Sequence, residues 1–252
     1  MSAIGLKMTQ NEKIALVTGV GKETGLGFAV SQALLSLGMT VYVTARTQMK
    51  AEKMARVLGV HGGSVVPIAL DIGKADDITA AAAKIEAAYG KLDVLINNAA
   101  STSPYGELAA SADIAEARTV FDVTLFGTWA MCQAMLPLLR KSDAGRIVNV
   151  SSGAGSHGDP VFGLTTGNQM GTSYAVSKAA LNALTVKLAL EETENAVKIN
   201  AVCPGFTATF EGAEAMGARP PHESAKGVLW AATLPADGPT AGFFRDGEAL
   251  AW

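Results

Sequence analysis

Cysteine is scarce in this chain of 252 residues, which holds two, Cys132 and Cys203. Their spacing fits neither a disulfide framework nor a metal knuckle, and His61, His157 and His222 stand isolated, so no metal site is expected and a reducing compartment is. Charge is also sparse, at 17% of residues with a net value of -3, and lysine and arginine form no block that would follow a phosphate backbone. Nucleic acid is therefore a poor candidate partner. No apolar run approaches the ~18 residues of a membrane span, and the start of the chain lacks an apolar stretch behind a basic one. A soluble, cytoplasmic protein with no membrane partner is expected, with residues 1–13 as a flexible N-terminus.

What is abundant is glycine, at 27 residues, within a composition that is 49% hydrophobic. That balance suits a sheet buried on both faces with glycine-lined ligand loops, and the length fits one large α/β domain over residues 1–252. Short apolar runs predict strands at Ile14-Ala15-Leu16-Val17, Val41-Tyr42-Val43 and residues 65–70, then at residues 92–96, 146–150 and 197–202, with a brief last strand at Gly242-Phe243-Phe244. Helical periodicity falls between them, over residues 48–58, 75–89, 114–139 and 222–233, and in a long segment reaching about Glu194. Residues 153–171 and 206–221 read as loops, the second mobile. Alternating strands and helices imply a parallel sheet wrapped by helices on both faces, with every loop that carries a candidate residue at the same sheet edge.

The first strand ends in Thr18-Gly19-Val20-Gly21-Lys22-Glu23-Thr24-Gly25-Leu26-Gly27 and a helix follows. Glycines there permit a tight turn and close approach of backbone to a pyrophosphate, whose charge the helix N-terminus favours; the other reading is a plain turn. Arg46 closes the second strand, where an NAD site carries an acid. A basic residue there accommodates the 2'-phosphate of NADP, with Lys22 as a second cation, unless Arg46 merely faces solvent at the start of the next helix. Asp71, before Ile72, either accepts from an adenine amino group or begins a turn. Asn98 either holds the strands and the cofactor loop or makes an Asx turn.

Gly171-Thr172-Ser173-Tyr174-Ala175-Val176-Ser177-Lys178 carries the chemistry. Four residues apart on a helix, Tyr174 and Lys178 share a face. An ammonium beside a phenol of pKa ~10 favours the phenolate and makes the pair a usable acid-base unit. Alternatively, the pair is a packed ring beside a solvated lysine.

In combination and in order, these motifs, with Asn97-Asn98-Ala99, Ser152 and Pro204-Gly205, resemble a classical short-chain dehydrogenase/reductase from Ile14 to Trp252. The ending, Pro239-Thr240-Ala241-Gly242-Phe243-Phe244-Arg245-Asp246-Gly247 with Trp252 last, resembles its carbonyl-reductase branch. The resemblance implies a single-domain Rossmann-type doubly wound sheet of about seven strands and hydride exchange at a carbonyl carbon, with NADPH/NADP+ as cofactor and NADH as the alternative. Tyr174 would protonate the developing alkoxide, Ser152 would hydrogen-bond the same oxygen, and Lys178 would lower the tyrosine pKa and hold the nicotinamide ribose. Pro204, Gly205 and Thr207 would line the nicotinamide, and Arg46 would meet the 2'-phosphate. Gly19, Gly21, Lys22, Gly25, Leu26, Gly27, Asp71, Ile72, Asn98 and Ala99 complete the implied cofactor positions.

The chain departs from the family pattern in three places. Its glycine segment carries two extra residues, Ala100 stands where glycine closes the usual motif, and Thr124 replaces an asparagine that helps hold a water in the proton relay. Ser152 and Tyr174 are separated by more residues than in the shortest family members, and the extra length around residues 157–169 either caps the substrate pocket or obstructs the face through which members assemble, so dimer and tetramer both stay open. Phe162, Leu164, Met170, Phe206, Phe210 and Met216 are candidates for an apolar substrate pocket or for packing. The expected function is reduction of a small ketone or aldehyde; the alternatives are an alcohol dehydrogenase running in oxidation and a non-catalytic NADP(H)-sensing module.

Overall fold

Ile14–Val17, four apolar residues with no polar break, forms strand β1 near the middle of the sheet with every side chain at 0% exposure. Ile14 and Leu16 join the core beneath one layer of helices, and Ala15 and Val17 join the core beneath the other. A strand covered on both faces must be apolar throughout, so the run shows no alternation. The computed structural model describes residues 12–61, 63–167 and 171–252. Most of the expected flexible N-terminus, and Met170 of the expected pocket, lie outside the described residues.

The elements follow as α1 (Leu26–Ser36), β2 (Thr40–Ala45), α2 (Gln48–Leu58), β3 (Ser64–Ala69), α3 (Ala75–Tyr89), β4 (Val94–Asn97) and α4 (Ile114–Phe121). Then come α5 (Thr128–Leu139), β5 (Arg146–Val150), α6 (Thr172–Glu191), β6 (Lys198–Val202), α7 (Pro221–Ala232), β7 (Phe243–Arg245) and β8 (Glu248–Ala249). The sheet runs β3-β2-β1-β4-β5-β6-β7-β8, parallel except for β8. Side chains of α1, α2 and α7 build one core with the sheet, and those of α3, α5 and α6 build the other. No helix among the described residues is long and apolar enough to cross a membrane.

Strand order reverses between β1 and β4, and in open sheets of this kind a crevice for ligands forms there, outside the carboxyl ends of the strands. The expectation of about seven strands falls one short. Asp246 and Gly247, both at positive φ (55° and 83°), turn the chain so that β8 pairs antiparallel with β7. The helix expected over residues 114–139 is also interrupted, because Asp122–Gly127 forms a π-helical turn between α4 and α5. Within that turn Gly127 lies so near β3's exit that a Cβ would sit 2.7 Å from the Ile72 carbonyl oxygen. Such turns recur where a functional residue must be re-aimed, and this one carries Thr124.

Candidate active site

The glycine loop is shaped by contact with the end of β4. Gly19 takes φ 75°, and a Cβ on it would lie 2.8 Å from Ala99 Cα; one on Gly27 would lie 2.6 Å from Asn98 Nδ2. Asn98 resolves in favour of its holding role, donating from Nδ2 to the carbonyls of Thr18 (2.8 Å) and Gly19 (3.2 Å). The Ala99 amide donates to Thr18 Oγ1 at 3.0 Å. Gly25 is the N-cap of α1, and this helix start has neither a side-chain cap nor an acid in its first turn. Backbone N–H groups at such an end attract phosphate. Of the two extra loop residues' neighbours, Gly21 leaves room and faces the Lys50 side chain, whose Nζ a Cβ would meet at 3.8 Å. This tight cradle, uncapped and with no acid in the first turn of α1, its one loop acid Glu23 being paired with Lys53, fits a dinucleotide.

Arg46 is exposed directly beyond β2 and has no ion pair among the described residues. Lys22 does not point toward it: its ammonium reaches across the cleft to the carbonyl of Thr209. Asp71 makes a turn with its carboxylate, accepting from the Gly73 amide at 3.1 Å, while the Ile72 side chain is buried in the core. Any contact of Ile72 with a ligand therefore falls to its backbone.

Helix α6 and the end of β5 just before Ser152 are locked together by a buried polar seam. Along one face of α6, Lys178, Asn182 and Thr185 look onto β5: the Lys178 ammonium donates to the Val150 carbonyl at 2.6 Å, Asn182 Oδ1 accepts from Ser151 Oγ at 2.5 Å, and Thr185 Oγ1 accepts from Asn149 Nδ2 at 2.9 Å. Each partner is nearly inaccessible to water, so breaking any one bond strands a polar group. The register thus fixed brings Tyr174 against Ser152, whose side chain favours the phenolate by hydrogen bonding. Ser152 Oγ accepts from the Ala154 amide at 3.2 Å, which leaves its proton free to donate. The Lys178 ammonium sits 5.7 Å from the centre of the Tyr174 ring.

Burial governs both titrations. It pushes the Tyr174 phenol up to about 12, against the Ser152 hydrogen bond that lowers it, and pushes the Lys178 ammonium down to about 8. The Tyr174 ring opens partly onto the cavity, yet the protein around the hydroxyl still desolvates it. In this structure burial outweighs the one group that lowers the phenol, Ser152, and the lowering expected from Lys178 is not found.

Ser152, Tyr174 and Lys178 line one cavity of about 350 Å³ together with Asn98, Pro204, Gly205 and Thr207. Phe162, Phe206 and Phe210 supply its apolar wall, whereas Leu164 and Met216 lie outside the lining and Met216 is exposed. Thr124 is fully buried in the π turn and is not in the wall; its hydroxyl is engaged with the Ser101 backbone. The loop after Gly205 is closed at its base rather than open, because Thr207 bridges Arg219, Arg219 pairs with Asp246, and Ala208, Ala213 and Ala218 form a small core of their own with Phe206.

Two groups near the site were not legible in the sequence. Cys203, buried at the cavity wall, accepts from the amides of Gly153 (3.2 Å) and Gly205 (3.4 Å) and from the Arg245 guanidinium. Its place directly before Pro204-Gly205 at a strand end was the available signal. Asp159, 1% exposed, pairs with Arg245 and ties the 156–163 loop to β7; nothing in its local sequence announces that partner.

The fold and this cleft define an α/β protein of the doubly wound, dinucleotide-binding class. The family model for short chain dehydrogenases matches residues 13–217, and the chain belongs to the short-chain dehydrogenase/reductase family of oxidoreductases. It is similar to the short-chain dehydrogenase anuI of Penicillium roqueforti, with 36% identity covering 87% of this chain and 88% of that one. The short-chain reductase protein NovJ of Streptomyces niveus is 34% identical over 79% of this chain and 70% of its own length. Among solved structures, a metagenomic short-chain oxidoreductase in complex with NADP superposes with TM-score 0.75 at 29% identity, covering 92% of this chain and 96% of that one. An actinorhodin polyketide ketoreductase variant with NADPH superposes with TM-score 0.80 at 25% identity, covering 94% and 96%.

Proposed function

We propose that this chain is an NADPH-dependent reductase that converts a ketone or aldehyde to its alcohol, with Tyr174 as proton donor. The observation that carries the reading is the meeting of Ser152, Tyr174 and Lys178 in one largely apolar cavity beside a cradle that fits a dinucleotide. The nicotinamide, when bound, supplies the hydride. Ser152 orients the carbonyl with the hydroxyl proton that it otherwise directs at Tyr174, and Tyr174, held protonated at neutral pH, gives its proton to the oxygen on which negative charge grows. A phenol kept as an acid serves reduction better than oxidation, which places the alcohol dehydrogenase reading second. Thr124 takes a positioning role through Ser101 instead of a place in a proton relay.

The choice of NADPH rests on Arg46 beyond β2, with Lys50 beside Gly21 as a further cation. Phe126, Trp129, Val176 and Leu190, exposed on neighbouring helical segments, support assembly into a dimer or tetramer. Tyr174→Phe is expected to abolish NADPH consumption with a panel of apolar ketones and aldehydes while leaving NADPH binding, read by nucleotide fluorescence, intact. Full activity in that variant would remove the tyrosine from the mechanism, and tight NADPH binding by the wild type with no turnover across the panel would favour the sensing module.

A further inference from the structure

We infer that Glu107 is a positioning residue: from a coil 66 residues upstream, its carboxylate caps the catalytic helix and sets where Tyr174 stands. The inference rests on the proposed role of Tyr174. Helix α6 begins at Thr172 with Gly171 as N-cap, a residue that brings no side chain to the orphan amides of the first turn. Those amides are satisfied from elsewhere. The Ser173 amide donates to Glu107 Oε2 at 2.6 Å and the Ser173 hydroxyl to the same oxygen at 2.7 Å, while Thr172 Oγ1 donates to the Glu107 carbonyl at 3.0 Å. The Tyr174 amide itself donates to Ser103 Oγ at 3.3 Å.

No local cap can replace this arrangement, because a Cβ on Gly171 would overlap Ser103 Oγ and lie 2.5 Å from the Pro104 carbonyl oxygen. An ionised acceptor at a helix N-terminus gains from the macrodipole and from charge-assisted hydrogen bonds. The Ser173 amide, then its hydroxyl and Ser103, hold the Glu107 carboxyl below its ordinary range, against a smaller opposing effect of burial. The cavity beside Glu107, of about 440 Å³, brings in Glu116 from α4, also acidic, and no cation; α6 itself carries Tyr174 and Lys178. The helix end is therefore what keeps Glu107 charged. At its other end the same segment begins at Ser101, which Thr124 holds by both backbone groups, so residues 101–107 strap the π turn to the start of the catalytic helix.

The test compares Glu107→Ala and Glu107→Gln with Tyr174→Phe. For each, kcat and KM for one ketone, NADPH affinity by fluorescence, the acid side of the kcat-pH profile, and amide hydrogen exchange at Ser173 and Tyr174 in the cofactor-free protein are measured. Glu107→Ala is expected to lower kcat about 10-fold at unchanged NADPH affinity and to speed exchange at both amides. Glu107→Gln, which keeps an acceptor oxygen but no charge, is expected to give a kcat between those of wild type and Glu107→Ala at neutral pH and to match the wild type in acid, where Glu107 is itself a neutral acceptor. Unchanged kcat in Glu107→Ala, unchanged exchange at the two amides, or loss of kcat matched by loss of NADPH affinity would each overturn the inference. Should Tyr174→Phe stay active, the proposed function fails separately, and exchange still decides whether Glu107 caps the helix.

Discussion

Thr124 and Ser101 hold each other twice: the Ser101 amide donates to Thr124 Oγ1 at 3.1 Å, and that hydroxyl donates to the Ser101 carbonyl at 3.2 Å. Both functions of the hydroxyl are spent on backbone, at the point where the chain leaves β4 for the cavity. Thr124→Val keeps the shape and removes both bonds, so a partly buried amide and carbonyl lose their partners. A cost of about 1–3 kcal/mol is expected, seen as a lower Tm, with kcat reduced more than NADPH affinity. An unchanged melting curve would mean that the strap is anchored by other contacts.

Lys178 is 3% exposed and its ammonium is pushed by burial from an ordinary 10.5 down to about 8. Between those values the unfolded chain binds the proton and the folded chain does not, so stability from this group rises with pH there; below about 8 the whole penalty applies. A shift of this size corresponds to about 3 kcal/mol, at the upper end of the about 1.5–3 kcal/mol lost with the charge-assisted hydrogen bond to Val150. Lys178→Met is therefore expected to change the stability of the cofactor-free protein little at pH 7 while abolishing turnover, and to fall below the wild type as pH rises through the window. Tyr174 works in the opposite sense: raised from 10.0 to about 12, it contributes stability below 10 that is lost as pH climbs through 12. Urea unfolding at neutral and alkaline pH measures both, and a difference between Lys178→Met and wild type that stays constant from pH 7 to about 10 would contradict the sign.

How legible the molecule was depended on how local its physics is. The runs that became β1 and β5, and the helices α2 and α3, announced their bounds because continuous burial or a capped amphipathic face is written in neighbouring residues. Tyr174 and Lys178 stood out by their four-residue helical spacing, and Ser152 because topology carries strand ends to one edge. Glu107 was not, since it sits in coil and acts on a helix far along the chain. The π turn was hidden for another reason: one extra residue in a turn leaves the apolar spacing of residues 114–139 almost undisturbed. Asp246-Gly247 did carry a hairpin signature, but arms of three and two residues are too short to show alternation.

Arg46 stands exposed at the carboxyl end of β2, and Lys50 lies one helical turn further on, beside Gly21. A charge-assisted contact with a phosphate contributes about 1.5–3 kcal/mol, which is roughly 10- to 100-fold in affinity. Arg46→Ala is expected to weaken NADPH by that factor and leave NADH nearly unchanged, with Lys50→Ala showing a smaller loss of the same sign. Competitive fluorescence titrations with the two nucleotides read this directly, and equal losses for both would place Arg46 outside the 2'-phosphate site.

Asp159 and Arg245 form the least accessible ion pair of the site, and it stands behind the cavity wall. The second carboxylate oxygen of Asp159 accepts from the amides of Val161 and Phe162, both at 2.9 Å, and Arg245 lies 5.7 Å over the Phe162 ring that faces the cavity. Burial raises the Asp159 pKa, but the Phe162 and Val161 amides and Arg245 together outweigh it and hold the carboxyl below its ordinary value. Its stabilisation is thus present above the ordinary carboxylate pKa and is lost as pH falls through the depressed folded value. Asp159→Asn leaves a guanidinium beside Cys203 without its counter-charge, at a cost of about 3 kcal/mol, the lower end for a broken buried pair because Arg245 keeps some solvent. Because Phe162 then loses its anchor, KM for an apolar ketone is expected to rise more than kcat falls. The gap in Tm between wild type and variant should be widest near neutral pH and close in acid; a gap that stays constant with pH would show that the Asp159 charge contributes nothing to the fold.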